Sequence, residues 1–241
     1  MNVHFVVHEA FEAPGAYEAW VEARGYTASY SRVYESDALP STVEGIDLLV
    51  VLGGPQSPAT TQQECPHFDT AAEQALIVRA IRAGKAVVGV CLGAQLIGEA
   101  LGAKCARSPE KEIGQYPILL TEAGLEHPGI APFGEALEVG HWHSDMPGLT
   151  ADAKVLAYSA GCPRQIVEYA SLVYGFQCHM EFTPEVVELL IAASAHEFAA
   201  LKDRPYVQQP QALRANDYTE MNRKLFGFLD TLVADYRLSV R

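Results

Sequence analysis

A doubly wound α/β fold, with a mostly parallel sheet flanked by helices, is predicted by three observations. Short apolar runs alternate with amphipathic stretches through the first hundred residues. The runs at 46–52 and 86–90 are almost unbroken, as in strands buried on both faces, and each ends in a tight glycine-containing turn. A chain of 241 residues, 49% hydrophobic and 20% charged, is long enough to bury the core such a sheet needs. That composition excludes disordered, collagen-like and low-complexity classes.

The elements follow in order. Residues 3–7 read as the first strand. Pro14 suits a first helical turn, Gly25 stops that helix after Arg24, and a second strand covers 27–34. The apolar run 46–52 is the next strand and ends in Gly53-Gly54-Pro55. Helical periodicity over 68–83, stopped by Gly84, leads into the strand 86–90 and a helix over 92–101. Further strands are expected at 113–121, 137–139, 155–159, 165–169 and 172–177, with helices at 184–201 and 218–236. The polar stretch 202–217 reads as a surface connection. Residues 1–241 are therefore taken as one domain, in which 202–241 form a C-terminal connection and helix; the alternative is a dimer-forming arm.

Charge narrows the partners. With 17 Lys+Arg against 30 Asp+Glu, the net charge of −13 repels phosphate backbones and anionic membranes, so neither nucleic acid nor membrane is expected. The first basic residue is Arg24, too late for a secretory leader, and the five cysteines form no C-x-x-C pair. A cytoplasmic location is expected.

Chemistry concentrates at Gly89-Val90-Cys91-Leu92-Gly93-Ala94-Gln95. A thiol between a strand and a helix feels the positive end of the helix dipole, which favours the thiolate. Gly89 and Gly93 allow a sharp turn, and the amide of Leu92 faces the place where an acyl oxygen would gain charge. The bland reading is an inert core cysteine. A second motif, Gln177-Cys178-His179-Met180-Glu181, puts His179 and Glu181 two residues apart in extended backbone, where both side chains share a face. Glu181 can then orient an imidazole that acts as acid and base. Cys178 should face the opposite way, into the core. Cys65, Cys105 and Cys162 lack comparable surroundings and read as structural.

Together these motifs resemble the class I glutamine amidotransferases, whose pattern is G-[IV]-C-x-G-x-Q followed by Q-x-H-x-E. Stand-alone, GMP-synthetase-like members are the nearest in character. Leu52-Gly53-Gly54-Pro55 is similar to the family's glycine turn, and Glu112-Ile113-Gly114-Gln115 and His141-Trp142-His143-Ser144-Asp145 extend the likeness over about residues 45 to 185. The resemblance implies a single flavodoxin-like amidotransferase domain. It implies Cys91 as nucleophile, His179 as acid and base, Glu181 as orienter, and the amides of Gly54 and Leu92 as an oxyanion hole. Gln95, Ser144, Asp145 and His143 are the implied substrate-binding residues. Cys178 and Met180 depart from the aromatic residue and proline usual around the histidine, and Ser144 from a common glycine.

The implied reaction is hydrolysis of the glutamine amide through a γ-glutamyl thioester, with ammonia passed to an acceptor on a separate synthetase subunit. The small-molecule substrate is L-glutamine or a γ-glutamyl compound. Rival readings are a γ-glutamyl hydrolase with the same triad, and a non-catalytic binding module. His-x-His-x-Asp at 141–145 also permits metal ligation, but Met146 stands where a further histidine is wanted. No metal is assigned, and without G-x-G-x-x-G or a terminal Gly-Lys-Ser/Thr no nucleotide site or other cofactor is expected. A homodimer is the expected self-association, if there is one.

Overall fold

A computed structural model describes residues 1–240. Nine strands form one sheet: β1 (Asn2–Val7), β2 (Thr27–Arg32), β3 (Leu48–Val51), β4 (Ala86–Val90), β5 (Ala106–Leu120), β6 (Ala136–Met146), β7 (Lys154–Tyr158), β8 (Ile166–Ala170) and β9 (Val173–Phe176). Their spatial order is β2-β1-β3-β4-β9-β8-β7-β5-β6. The helices are α1 (Ala16–Ala23), α2 (Thr70–Arg82), α3 (Leu92–Ala100), α4 (Glu122–Glu126), α5 (Pro184–Ala193), α6 (Phe198–Leu201), α7 (Pro210–Ala215) and α8 (Thr219–Ser239).

The sheet is mixed. From β2 to β9 every pairing is parallel, and from β9 through β8, β7 and β5 to β6 every pairing is antiparallel. Parallel pairing needs a crossover connection, supplied by α1 after β1 and by α2 after β3, whereas the antiparallel strands β7, β8 and β9 follow one another through short reversals.

The unbroken apolar strands have a direct explanation. Leu48 and Val50 face one core with Trp20 and Leu225, while Leu49 and Val51 face the other with Leu76 and Leu96. Alternate residues of one run therefore serve opposite layers.

Two C-terminal expectations change. The helix expected over 184–201 is broken into α5 and α6, with Ser194 capping α5 and turns in between. The polar stretch 202–217 is not plain connection, because it holds α7 and a parallel bridge from Val207 to Ile113. The last helix does not project as an arm. Its Leu225, Phe228, Leu229 and Leu232 are buried in the main core, each stabilising by on the order of 2 kcal/mol. Asp230 accepts a 2.9 Å bond from the Trp20 indole N–H and pairs with Arg24, tying α8 to α1.

Candidate active site

The three motifs meet because their strands are neighbours. Gly53-Gly54 follows β3, Cys91 follows β4 and His179 follows β9, and these strands lie side by side with parallel direction. All three turns thus emerge at one carboxyl edge, where open α/β sheets gather ligands. The Cys91 amide donates to the Phe176 carbonyl at 2.7 Å, joining the cysteine turn directly to the strand that leads into His179.

Cys91 caps α3 with φ 51° and ψ −106°, a left-handed conformation that L side chains rarely take. The turn closes only because Gly93 has no side chain: a Cβ there would lie 1.9 Å from the Val51 carbonyl oxygen. The Cys91 thiol points toward the Trp142 carbonyl at 3.8 Å. It also lies close enough to His179 to raise the imidazole's pKa, although Nε2 of that ring makes no hydrogen bond.

His179 is completely buried and its Nδ1 donates to Oε1 of Glu181 at 2.6 Å. Burial disfavours charge on the ring, yet the Glu181 carboxylate and the Cys91 thiol outweigh it and hold the pKa well above the ordinary histidine value. The ring stacks on Phe182, with centroids 4.5 Å apart, and the His179 backbone exchanges two hydrogen bonds with Gly140. Cys178 does point the other way, buried with Sγ near the Gln165 carbonyl.

A cavity of about 240 Å³ opens above the thiol. Gly54, Gln95, His143, Ser144 and Asp145 all line it beside Cys91, while His179 and Glu181 lie beneath. The backbone N–H groups of Gly54 and Leu92 donate to no other described residue. Gln95 is held by its amide to Gln177 at 3.2 Å, and Asp145 by Arg107 at 3.1 Å.

The His141-x-His143-x-Asp145 trio separates. His141 and His143 turn inward, with Nδ1 and Nε2 3.4 Å apart, whereas Asp145 lies at the cavity rim. The carboxylate beside the histidines is Glu112, 3.3 Å from His143 and 3.7 Å from His141. These three could hold an ion by residue type. The Gln165 amide nitrogen already sits among them, 2.7 Å from Glu112 and 3.2 Å from each ring, and Ser159 also donates to Glu112. Burial opposes ionisation of Glu112, but the hydrogen bonds from His143 and Ser159 bring its pKa below the usual carboxylate range. Burial pushes His141 down to about 3, so that ring is neutral.

Sequence reasoning missed several cavity residues. Glu12, Arg107 and Lys111 line it without belonging to any motif read for binding, and Trp142 lines it from within the 141–145 motif without having been singled out. Burial pushes the Glu12 carboxyl up to about 7, with His179 opposing and Glu181 adding to the shift. Beneath the glycine turn, His8 is clamped between the Gly53 carbonyl and Glu73, each at 2.8 Å. The available signal was position: His8 and Glu12 follow the end of β1, at the same edge of the sheet.

A profile of the family described as Glutamine amidotransferase class-I matches residues 15–194. The glutamine amidotransferase-like protein YfeJ of Salmonella typhimurium is 61% identical over 96% of this chain and 97% of its own length. Anthranilate synthase component 2 of Helicobacter pylori is 28% identical, over 75% of this chain and 89% of its own. Among solved structures, that of SMU.1228c superposes with a TM-score of 0.95 at 49% identity, covering 97% of this chain and all of the other.

Proposed function

The chain belongs to the class-I glutamine amidotransferase family, and from that premise we propose that it hydrolyses the side-chain amide of L-glutamine to glutamate and ammonia. The observation that carries the reading is the placement of Cys91, on a strained strand-to-helix turn, above an imidazole whose far nitrogen is bonded to Glu181. In this mechanism the Cys91 thiolate attacks the amide carbon, and the carbonyl electron pair moves onto oxygen. The N–H groups of Gly54 and Leu92 receive that oxyanion. Imidazolium His179 protonates the departing nitrogen as the C–N bond breaks, leaving a γ-glutamyl thioester on Cys91 and releasing ammonia. Water then adds to the thioester, giving a proton to His179, and collapse frees glutamate and the thiolate. Gln95, His143, Ser144 and Asp145 serve as the substrate-binding wall in this reading, which rests on their shared cavity.

L-Glutamine is preferred here over a γ-glutamyl peptide because about 240 Å³ is below the roughly 300–1,000 Å³ common for drug-sized ligands. Transfer of the ammonia to a separate synthetase subunit is part of the proposal, supported by a relative named as component 2 of a synthase. So is a single amidotransferase domain spanning residues 1–241, supported by burial of α8 in the main core. A reactive thiol and four further free cysteines fit a reducing cytoplasm. No described helix is long and apolar enough to cross a membrane.

Glutamate release from L-glutamine, measured beside Cys91→Ala and with γ-glutamyl peptides as competitors, tests the reading. Cys91-dependent turnover that prefers glutamine is expected. Preference for the peptides would make the protein a γ-glutamyl hydrolase. No turnover, together with no adduct on Cys91 from a glutamine-mimicking electrophile, would overturn the catalytic reading.

A further inference from the structure

Close to the cavity but outside the proposed triad, three side chains from two loops converge. Glu9 comes from the loop after β1, and Cys65 and His67 from the loop between β3 and α2. Nε2 of His67 lies 3.0 Å from Oε1 of Glu9 and 3.3 Å from Sγ of Cys65. The three potential ligand atoms all fall within 4.8 Å of one another. The amide nitrogen of Gln56 joins them, 2.7 Å from Glu9, 3.4 Å from Cys65 and 3.5 Å from His67.

Hydrogen bonds alone serve this cluster poorly. Nε2 of His67 carries either one proton or one lone pair, so it cannot donate to Glu9 and at the same time accept from Cys65 or Gln56. A catalytic relay is excluded by the same geometry, because Cys65 and Glu9 both approach one nitrogen instead of opposite sides of the ring. A cation at the centre satisfies all of these groups together. Ligands about 2.0–2.3 Å from a tetrahedral zinc ion stand roughly 3.3–3.8 Å apart; Sγ of Cys65 and Nε2 of His67 already stand 3.3 Å apart, and Oε1 of Glu9, 3.0 Å from His67, moves outward slightly to admit the ion.

A second observation points the same way. Oε1 of Gln56 is buried without any partner, and it sits beside Gly54, where an added Cβ would lie 2.5 Å from it. A half-turn of the amide brings that oxygen into the cluster as a fourth ligand. It also sends the NH2 toward Gly54 at the cavity wall. The side chains of Glu9 and His67 are 20% and 28% exposed, so an ion can reach them from solvent. By contrast, Glu112, His141 and His143 are buried, and the Gln165 amide already occupies the space between them.

We propose that Glu9, Cys65 and His67, with the side-chain amide of Gln56, bind one borderline divalent cation of the Zn²⁺ type and thereby tie the loop carrying Gly54 to the loop carrying Glu12. A thiolate, an imidazole and a carboxylate suit such an ion better than Mg²⁺ or Ca²⁺, which take oxygen ligands. Binding releases the Cys65 thiol proton to solvent and moves the His67 ring proton from Nε2 to Nδ1, which leaves the Nε2 lone pair for the ion. The site is independent of the proposed reaction, since it uses none of its residues apart from the lining residue Gln56.

The test is direct binding to the full chain after chelator treatment. Zn²⁺ is titrated against a chromophoric chelator, and Co²⁺ replaces it so that a thiolate-to-cobalt charge-transfer band reports sulfur ligation. One equivalent is expected for the wild type and for Cys91→Ala. Cys65→Ser and His67→Ala should each weaken binding about a hundredfold or more while keeping the far-ultraviolet circular dichroism of the metal-free wild type. Three outcomes overturn the proposal: no charge-transfer band in the wild type, a band lost in Cys91→Ala but kept in Cys65→Ser, or zinc binding that survives both loop substitutions. Absence of the cobalt band from the wild type overturns the proposal even if a variant fails to fold, and a band retained in Cys91→Ala excludes the thiol of the proposed triad as its source. Because no step measures glutamine turnover, failure here is distinguishable from failure of the functional reading.

Discussion

The Nδ1 of His8 donates to the carbonyl oxygen of Gly53 at 2.8 Å, across a completely buried contact. In a trans peptide the carbonyl and the following N–H point in opposite directions, so this bond turns the Gly54 N–H away from His8. Its other nitrogen meets Glu73 at 2.8 Å. Both partners are acceptors, which requires a proton on each ring nitrogen. Burial opposes that charge, but Glu73 and the Gly53 carbonyl prevail and raise the His8 pKa.

His8→Gln is therefore expected to loosen the Gly54 amide. The kcat for glutamine should fall by about tenfold to a hundredfold, less than the 10²–10³ typical of deleting an oxyanion donor, with KM changed little. Steady-state kinetics checks this; an unchanged kcat would remove His8 from the positioning of the turn. Linkage adds a sign. A raised histidine pKa contributes stability in full below the ordinary value of about 6.5, and the contribution is lost as pH rises through the folded value. The stability gap between wild type and His8→Gln should narrow across that window.

Glu181→Gln keeps the shape of the side chain but removes the charge that holds up the His179 pKa. A kcat loss of about 10²–10⁴ is expected, by analogy with loss of the acid in other nucleophilic triads. The alkaline limb of the pH–rate profile, where the imidazolium loses its proton, should shift to lower pH with the histidine. A profile and rate equal to wild type would show that the 2.6 Å contact has no catalytic consequence.

Glu12 gives a prediction in stability rather than rate. Its carboxyl is pushed up to about 7 by burial, above the 4.5 of a free glutamate. The unfolded chain then loses this proton first, so burying Glu12 becomes costly as pH rises from 4.5 to about 7 and levels off above. The cost reaches on the order of 3 kcal/mol. Glu12→Gln should therefore gain stability over wild type as pH increases through that interval, as read by urea melts at pH 4.5 and pH 8. A gap independent of pH would contradict the shift.

Gly93→Ala places a methyl group 1.9 Å from the Val51 carbonyl, in a layer where neither α3 nor β3 has room to retreat. Destabilisation above about 3 kcal/mol is expected, at the upper end of overpacking effects. Thermal melts of the purified variant test it. A Tm within a few degrees of wild type would mean that the strand-to-helix turn is not tightly closed.

The order of strands and helices was legible because it depends on local periodicity. Strand β3 reads from its apolar run, α2 from its 3.6-residue pattern and Gly84 stop, and the turn at Cys91 from its flanking glycines. The broken helix at 194–197 was not legible, since Phe198 continues the apolar pattern and the reversal is set by what it packs against, including Trp142. The antiparallel half of the sheet was equally hidden: apolar runs identify strands without giving their direction.

The same division holds at the site. The sequence by itself determined which side chains are proposed to carry chemistry, because Cys91 and the His179–Glu181 pair sit in short motifs whose internal spacing already sets their local geometry. Only the tertiary structure decided their companions. Glu112 and not Asp145 joins His141 and His143, His8 fixes the Gly53 carbonyl, and Glu9 meets Cys65 and His67 across two loops. Each of these contacts pairs residues from different elements. Their meeting depends on the order and direction in which strands join the sheet, and the packing energy of the whole core sets that order, which no local pattern encodes.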